Sequence, residues 1–146
     1  MSARRRPQPR KWVLDANALV GFLEDRNGVA RKVQDLFEQA LRYDLPVLMS
    51  AVTWGEVFYI EWRYRGETNA YRAEARLRQL PIEVVAVDQE RATRAGALKQ
   101  KHALGYADSF AAELAIERGA WLVTADPEFE RVGRGLSLLS LPRYEK

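Results

Sequence analysis

Short apolar runs rich in branched residues recur along the chain, at Trp12 to Leu14, Val47 to Met49, Val84 to Val87, Trp121 to Val123 and Leu136 to Leu139. Each predicts a β-strand. Between them the apolar positions fall at helical spacing, as in Val29, Val33, Leu36, Phe37, Ala40 and Leu41, or in Phe110, Ala111, Leu114 and Ala115. Strands that alternate with helices predict an α/β fold. Its sheet is parallel and covered on both faces, because every parallel connection must cross over the sheet and a helix does so economically. One connection departs from this alternation. Val52 to Leu80 holds two helical stretches split near Gly66-Glu67-Thr68-Asn69, which predicts a helical hairpin between the second and third strands.

A chain of 146 residues is long enough to bury a core without covalent staples, and no linker divides the pattern, so one domain is expected over residues 12–146. The formal charge of +3 is uneven. Arg4, Arg5, Arg6, Arg10 and Lys11 carry five positive charges with no acid among them, which leaves the remainder at −2. Residues 1–11 therefore read as a basic tail broken by Pro7 and Pro9, expected to be disordered, either a solvated arm or one that meets phosphates. The absence of cysteine excludes disulfides, thiolate metal sites and cysteine nucleophiles. No apolar run approaches the ~20 residues that span a bilayer, and no signal-peptide pattern opens the chain, so a cytoplasmic protein without membrane contact is expected.

The chemistry lies in four carboxylates. Asp15 follows the first strand directly, and Glu56 stands just beyond the second, three residues after Thr53 at capping-box spacing. Asp108 opens a small-residue helix, and Asp126 precedes Pro127 after the fourth strand. Each has an ordinary explanation as a turn or cap, with Asn17 an equal candidate to cap the first helix. Together they have another. Ligand sites in open parallel sheets form outside the C-terminal ends of the strands, where three of these acids fall, and the fourth can begin the helix that leads into strand four. Carboxylates brought together without cations repel one another and raise at least one pKa. With no cysteine and one histidine, hard-cation partners, Mg²⁺ or Mn²⁺, suit this donor set better than zinc or copper.

Four segments carry a resemblance: Val13-Leu14-Asp15-Ala16-Asn17, Ser50 to Glu56, Tyr106-Ala107-Asp108-Ser109-Phe110, and Leu122-Val123-Thr124-Ala125-Asp126-Pro127-Glu128-Phe129. In this order and spacing the chain, from residue 12 to about 141, resembles PIN-domain nucleases, and within them the VapC-like toxins of toxin-antitoxin pairs. The resemblance implies a PIN-like three-layer sandwich with a five-stranded sheet ordered 3-2-1-4-5. It implies that Asp15, Glu56, Asp108 and Asp126 are the catalytic and metal-holding quartet of a divalent-metal endoribonuclease, which hydrolyses RNA phosphodiester bonds with metal-activated water. It also implies a homodimer silenced by a cognate antitoxin. The family often has Ser or Thr where this chain has Asn17. Asn17, Ser109 and Thr124 are assigned to orienting ligands and waters around the acids, with helix caps and strand-end hydrogen bonds the equal alternative.

Counting removes some rivals. His102 is the only histidine, so a two-histidine ribonuclease mechanism is excluded, and the residue reads as a helix-end group. Ser109 lacks a G-x-S-x-G setting, and no glycine-rich phosphate cradle is present. Two other readings stay open: a non-catalytic RNA-binding or regulatory domain of the same fold, and a phosphatase of the haloacid dehalogenase type, whose usual second Asp would be Asn17 here. The hairpin adds an aromatic stripe, Trp54, Phe58 and Trp62 with Tyr59 and Tyr64 nearby, and the arginines 63, 65, 72, 76 and 78. The aromatics read as core, partner contact or base stacking, and the arginines as a solvated face or the border of a substrate groove.

Overall fold

Three buried strands, β1 (Trp12–Leu14), β2 (Val47–Ser50) and β4 (Trp121–Thr124), form the middle of the sheet, with β3 (Ile82–Val85) and β5 (Ser137–Ser140) at its edges. The computed structural model describes residues 9–25 and 28–142. All pairings are parallel and the order is β3-β2-β1-β4-β5, as the resemblance implied. Of the basic N-terminal residues, Arg4 to Arg6 lie outside the described range. Arg10 stacks its guanidinium 4.4 Å from the Trp121 ring, and the Lys11 carbonyl accepts from Trp121 N at 2.9 Å.

Alternation along each inner strand divides the core into two layers, because successive strand side chains point to opposite faces. Leu14, Met49 and Val123 join Leu19, Val33 and Phe37 on one face, where α1 (Ala16–Glu24) and α2 (Val29–Tyr43) pack. Val13, Leu48 and Leu122 join Ala111, Ala112, Leu114, Ala115 and Phe129 on the other, under α6 (Tyr106–Arg118). The alanines let α6 approach the sheet closely, which brings its first turn near the strand ends.

The expected hairpin is α3 (Ala51–Arg65) and α4 (Glu67–Leu77), joined at Gly66, whose φ of +91° is open to glycine and strained for other residues. Phe58, Trp62 and Tyr71 meet edge-on across it, with centroids 5.1 to 6.1 Å apart. The aromatic stripe is divided: Trp54 and Phe58 are half-buried, while Tyr59, Trp62 and Tyr64 are exposed.

Two local expectations are corrected. The third strand is Ile82–Val85 rather than Val84 to Val87, because pairing with β2, from Val47 opposite Ile82 to Ser50 opposite Val85, sets its position on a half-exposed edge where the apolar run alone misleads. Helix α3 starts earlier than the Thr53 spacing suggested. Ser50 caps it by accepting from Val52 N at 3.2 Å, which leaves Thr53 buried inside the helix and Glu56 on its second turn rather than in a capping box.

Helix α5 (Gln89–His102) is fastened to α6 by Glu113, a buried carboxylate held by Arg91 Nη1 at 3.0 Å and Arg94 Nε at 3.0 Å. His102 is the last residue of α5, as expected. Removing one member of a buried ion pair strands the other charge. Glu113→Ala is therefore expected to lower stability by about 3 kcal/mol in urea denaturation, and a loss below about 1 kcal/mol would show that the two arginines re-solvate freely.

Candidate active site

The sheet order reverses direction between β1 and β4, so the loops leaving these two strands diverge and open a crevice at their C-terminal ends. Asp15 sits at its base. The backbone leaves β1 extended there, and Asp15 Oδ1 caps α1 by accepting from Ala18 N at 2.8 Å, so Asp15 and not Asn17 is the N-cap. Its other oxygen accepts from the Thr124 hydroxyl at the end of β4. The same Thr124 oxygen accepts from Asp126 N at 2.9 Å. One hydroxyl thus ties the ends of the two central strands together and fixes both flanking aspartates.

Asp126 caps the following 3-10 segment, Pro127–Gly135, by accepting from Glu128 N at 2.9 Å, with Pro127 preset at the first position. Asp108 lies in the first turn of α6, whose N-cap is Gly105 rather than Asp108 itself. A Cβ at position 105 would stand 3.0 Å from Asp108 Oδ2, so the glycine leaves room for the carboxylate. Carboxylate oxygens of Asp108, Asp126 and Glu128 lie within 4.8 Å of one another, close enough to share one cation. Glu56 reaches the same region from α3, since its charge acts on Asp108.

Burial and mutual repulsion leave their mark on the acidities. Burial pushes the Asp15 carboxyl up to about 7, against the hydrogen bonds from Thr124 and Ala18 that lower it, with the Asp108 and Asp126 charges adding to the rise. Asp108 is likewise pushed up to about 7, first by burial and then by Glu56, Asp126 and Glu128. Glu56 is raised by burial. No basic side chain figures among the groups that set the Asp15 and Asp108 acidities. Negative charge is concentrated here, and the one ion pair seen at the cluster among the described residues is Arg131 with Glu128 at 3.9 Å.

Of the polar residues expected to support the acids, Thr124 contacts Asp15 directly. Ser109 is buried but donates to the Gly105 carbonyl at 3.0 Å, and Asn17 is exposed on the first turn of α1. Glu128, inside the Leu122 to Phe129 segment, joins the acids although the expected quartet does not include it. The available signal was its place two residues after Asp126 and next to Pro127, where a tight 3-10 turn brings both carboxylates to one side.

A carboxylate-lined crevice at the switch point of a parallel α/β sheet is the architecture of the PIN class of proteins. The PIN domain family model matches residues 12–135, and the chain belongs to that family. No curated protein sequence matches it. Among solved structures it is similar to a chain of VapBC2 from Rickettsia felis bound to a DNA fragment from its promoter, with a TM-score of 0.69 at 17% identity, covering 88% of this chain and 97% of that one. A toxin-antitoxin complex from Klebsiella pneumoniae matches with a TM-score of 0.63 at 21% identity, over 89% and 97% of the two chains. Mycobacterium tuberculosis VapC20, a sarcin-ricin loop cleaving toxin, matches with a TM-score of 0.69 at 15% identity, over 84% and 95%. At these identities the likeness is one of fold.

Proposed function

We propose that this chain is a divalent-metal-dependent endoribonuclease, the toxin of a toxin-antitoxin pair, with Asp15, Glu56, Asp108 and Asp126 as its metal-holding and catalytic acids and Glu128 beside them. The observation that carries the reading is the group of Asp108, Asp126 and Glu128, whose carboxylate oxygens lie within 4.8 Å of one another, with the Asp15 carboxyl raised to about 7 by burial first and then by Asp108 and Asp126, and Asp108 raised to about 7 by burial first and then by Glu56, Asp126 and Glu128. Such a cluster is costly as it stands and is relieved by a hard cation. The donor set fits one: all-oxygen ligands, no cysteine, and a single histidine, the last residue of α5, outside the carboxylate group.

Bound Mg²⁺ or Mn²⁺ would supply Lewis-acid polarisation of a phosphoryl oxygen and lower the pKa of water. The chain itself supplies placement. Thr124 and Ala18 N hold the Asp15 carboxylate in one orientation, and Thr124 and Pro127 fix the backbone that carries Asp126. Asp108 joins the cluster from α6, and Glu56 on α3 is near enough for its charge to act on Asp108.

The toxin-antitoxin complexes among the structural relatives support a cognate antitoxin as partner, and a homodimer is the assembly we infer, to be read from the solution mass of the purified chain. Incubation with a mixed RNA pool and Mn²⁺ tests the activity. Internal cuts that stop on chelation are expected. Phosphate release from small esters, or binding without cleavage, would select the phosphatase or the non-catalytic reading instead.

Thr124 gives a further test. Thr124→Val keeps the shape but removes the hydroxyl that orients Asp15, and is expected to cut activity or metal affinity about 10- to 100-fold, with Thr124→Ser recovering most of it. A fully active Thr124→Val protein would show that Asp15 needs no orienting group.

A further inference from the structure

Tyr59 and Arg63 share the α3 face of Glu56, three and seven positions further on, since seven residues nearly complete two helical turns. This face leads from the acid cluster into solvent: Glu56 is half-buried, while Tyr59 and Arg63 are exposed. Arg63 Nη1 donates to Tyr59 Oη at 2.7 Å, and its guanidinium carbon lies 5.7 Å from the centroid of the Tyr64 ring. Both partners are tyrosine rings rather than carboxylates. Three other guanidiniums of the hairpin and the site pair with carboxylates, Arg65 with Glu24 at 2.9 Å, Arg78 with Glu74 at 2.7 Å and Arg131 with Glu128 at 3.9 Å, while Arg76 lies 4.9 Å over the Phe22 ring of α1. Among the described residues Arg63 forms no ion pair.

Arg63 is therefore a braced cation with most of its five donors unused, about 10 Å along the helix axis from a catalytic acid and on the same side. An RNA strand laid across a carboxylate cluster is repelled except where cations meet its phosphates, and a guanidinium fork matches phosphate geometry. We propose that Arg63, held by Tyr59, binds a phosphate neighbouring the scissile one in a single-stranded RNA substrate and so sets the strand over the acids. The assignment rests on the nuclease reading above.

The test is steady-state cleavage of a short single-stranded RNA by the full chain with Mn²⁺ over a salt series. Arg63→Gln is expected to raise KM about tenfold, the usual loss for a charge-assisted hydrogen bond, and to leave kcat within about twofold. The slope of log kcat/KM against log salt should fall by about 0.7, as for one lost single-strand phosphate contact. Arg63→Lys should keep the slope and recover part of KM, and Tyr59→Phe should give an intermediate KM. A substrate with one uncharged methylphosphonate linkage beside the cut should cost the wild type the same factor and cost Arg63→Gln nothing further. Unchanged KM and slope in Arg63→Gln, a fall in kcat alone, or a loss only of binding to a protein partner would overturn the assignment while the nuclease reading stands. Wild-type protein that cleaves no RNA would overturn both, and shows before any variant is made.

Discussion

Asp108→Asn is expected to abolish RNA cleavage, by about 10³-fold or more, and at the same time to raise the melting temperature of the metal-free protein at pH 8. The two effects share one cause. Asp108 is half-buried, surrounded by Glu56, Asp126 and Glu128, and no hydrogen bond to a protein donor is seen for it among the described residues. Its negative charge therefore adds little to the fold and much to the repulsion. As part of a cation site it would supply transition-state stabilisation of several kcal/mol, and each 1.36 kcal/mol is a factor of ten in rate. Without the cation the same charge destabilises the chain by about 1 to 2 kcal/mol once solvent screening is allowed for, or about 3 to 8 °C in a chain of this size. Asp15→Asn should be equally inactive with a smaller gain in stability, because the amide loses the Thr124 hydrogen bond and buries an N–H group without an acceptor, which offsets much of the charge removed. A destabilised, inactive Asp108→Asn would mean that Asp108 is a structural residue.

The second large effect concerns pH and metal together. Asp15 and Asp108 are raised from 3.8 to about 7, so between these values the folded chain binds more protons than the unfolded one. Stability of the metal-free protein must then fall as pH rises from about 4 to about 7 and level off above. For the fully buried Asp15 the difference is worth roughly 4 kcal/mol. A divalent cation bound by the proposed site would replace those protons, so Mn²⁺ should raise the melting temperature strongly at pH 8 and hardly at all at pH 5. Thermal denaturation in chelator and in Mn²⁺ at the two pH values measures this. A metal-free protein as stable at pH 8 as at pH 5 would show that the acids carry no strain.

Much of this arrangement is legible in the sequence, for identifiable reasons. Val13, Leu48 and Leu122 belong to strands buried on both faces, where an unbroken apolar run is required, and their positions follow from the pattern. The Asp126-Pro127 pair also behaves as it reads, because proline at a first helical position leaves few alternatives. The edge strand β3 does not, since its exposed Glu83 and Val84 obey pairing rather than burial. Helix starts were off where several short polar residues compete: Ser50 displaced Thr53 as the cap of α3, and Asp15 took the place open to Asn17. Glu128 is not marked by its sequence because a 3-10 turn, unlike a strand end, has no periodicity to announce which side chains it gathers. Glu113, bound by Arg91 and Arg94, reads in sequence as one acid among alanines, and only the packing of α5 on α6 shows its role. The braced Arg63 is likewise visible only once hydrogen bonds separate it from its paired neighbours.

An anomalous difference map from crystals grown with Mn²⁺ tests most directly whether Asp15, Asp108 and Asp126 meet around one hard cation. A peak in the crevice between β1 and β4, within about 2.3 Å of oxygens from at least two of these carboxylates, is the expected result. A map with Mn²⁺ bound only elsewhere on the protein, and none at these acids, would contradict it.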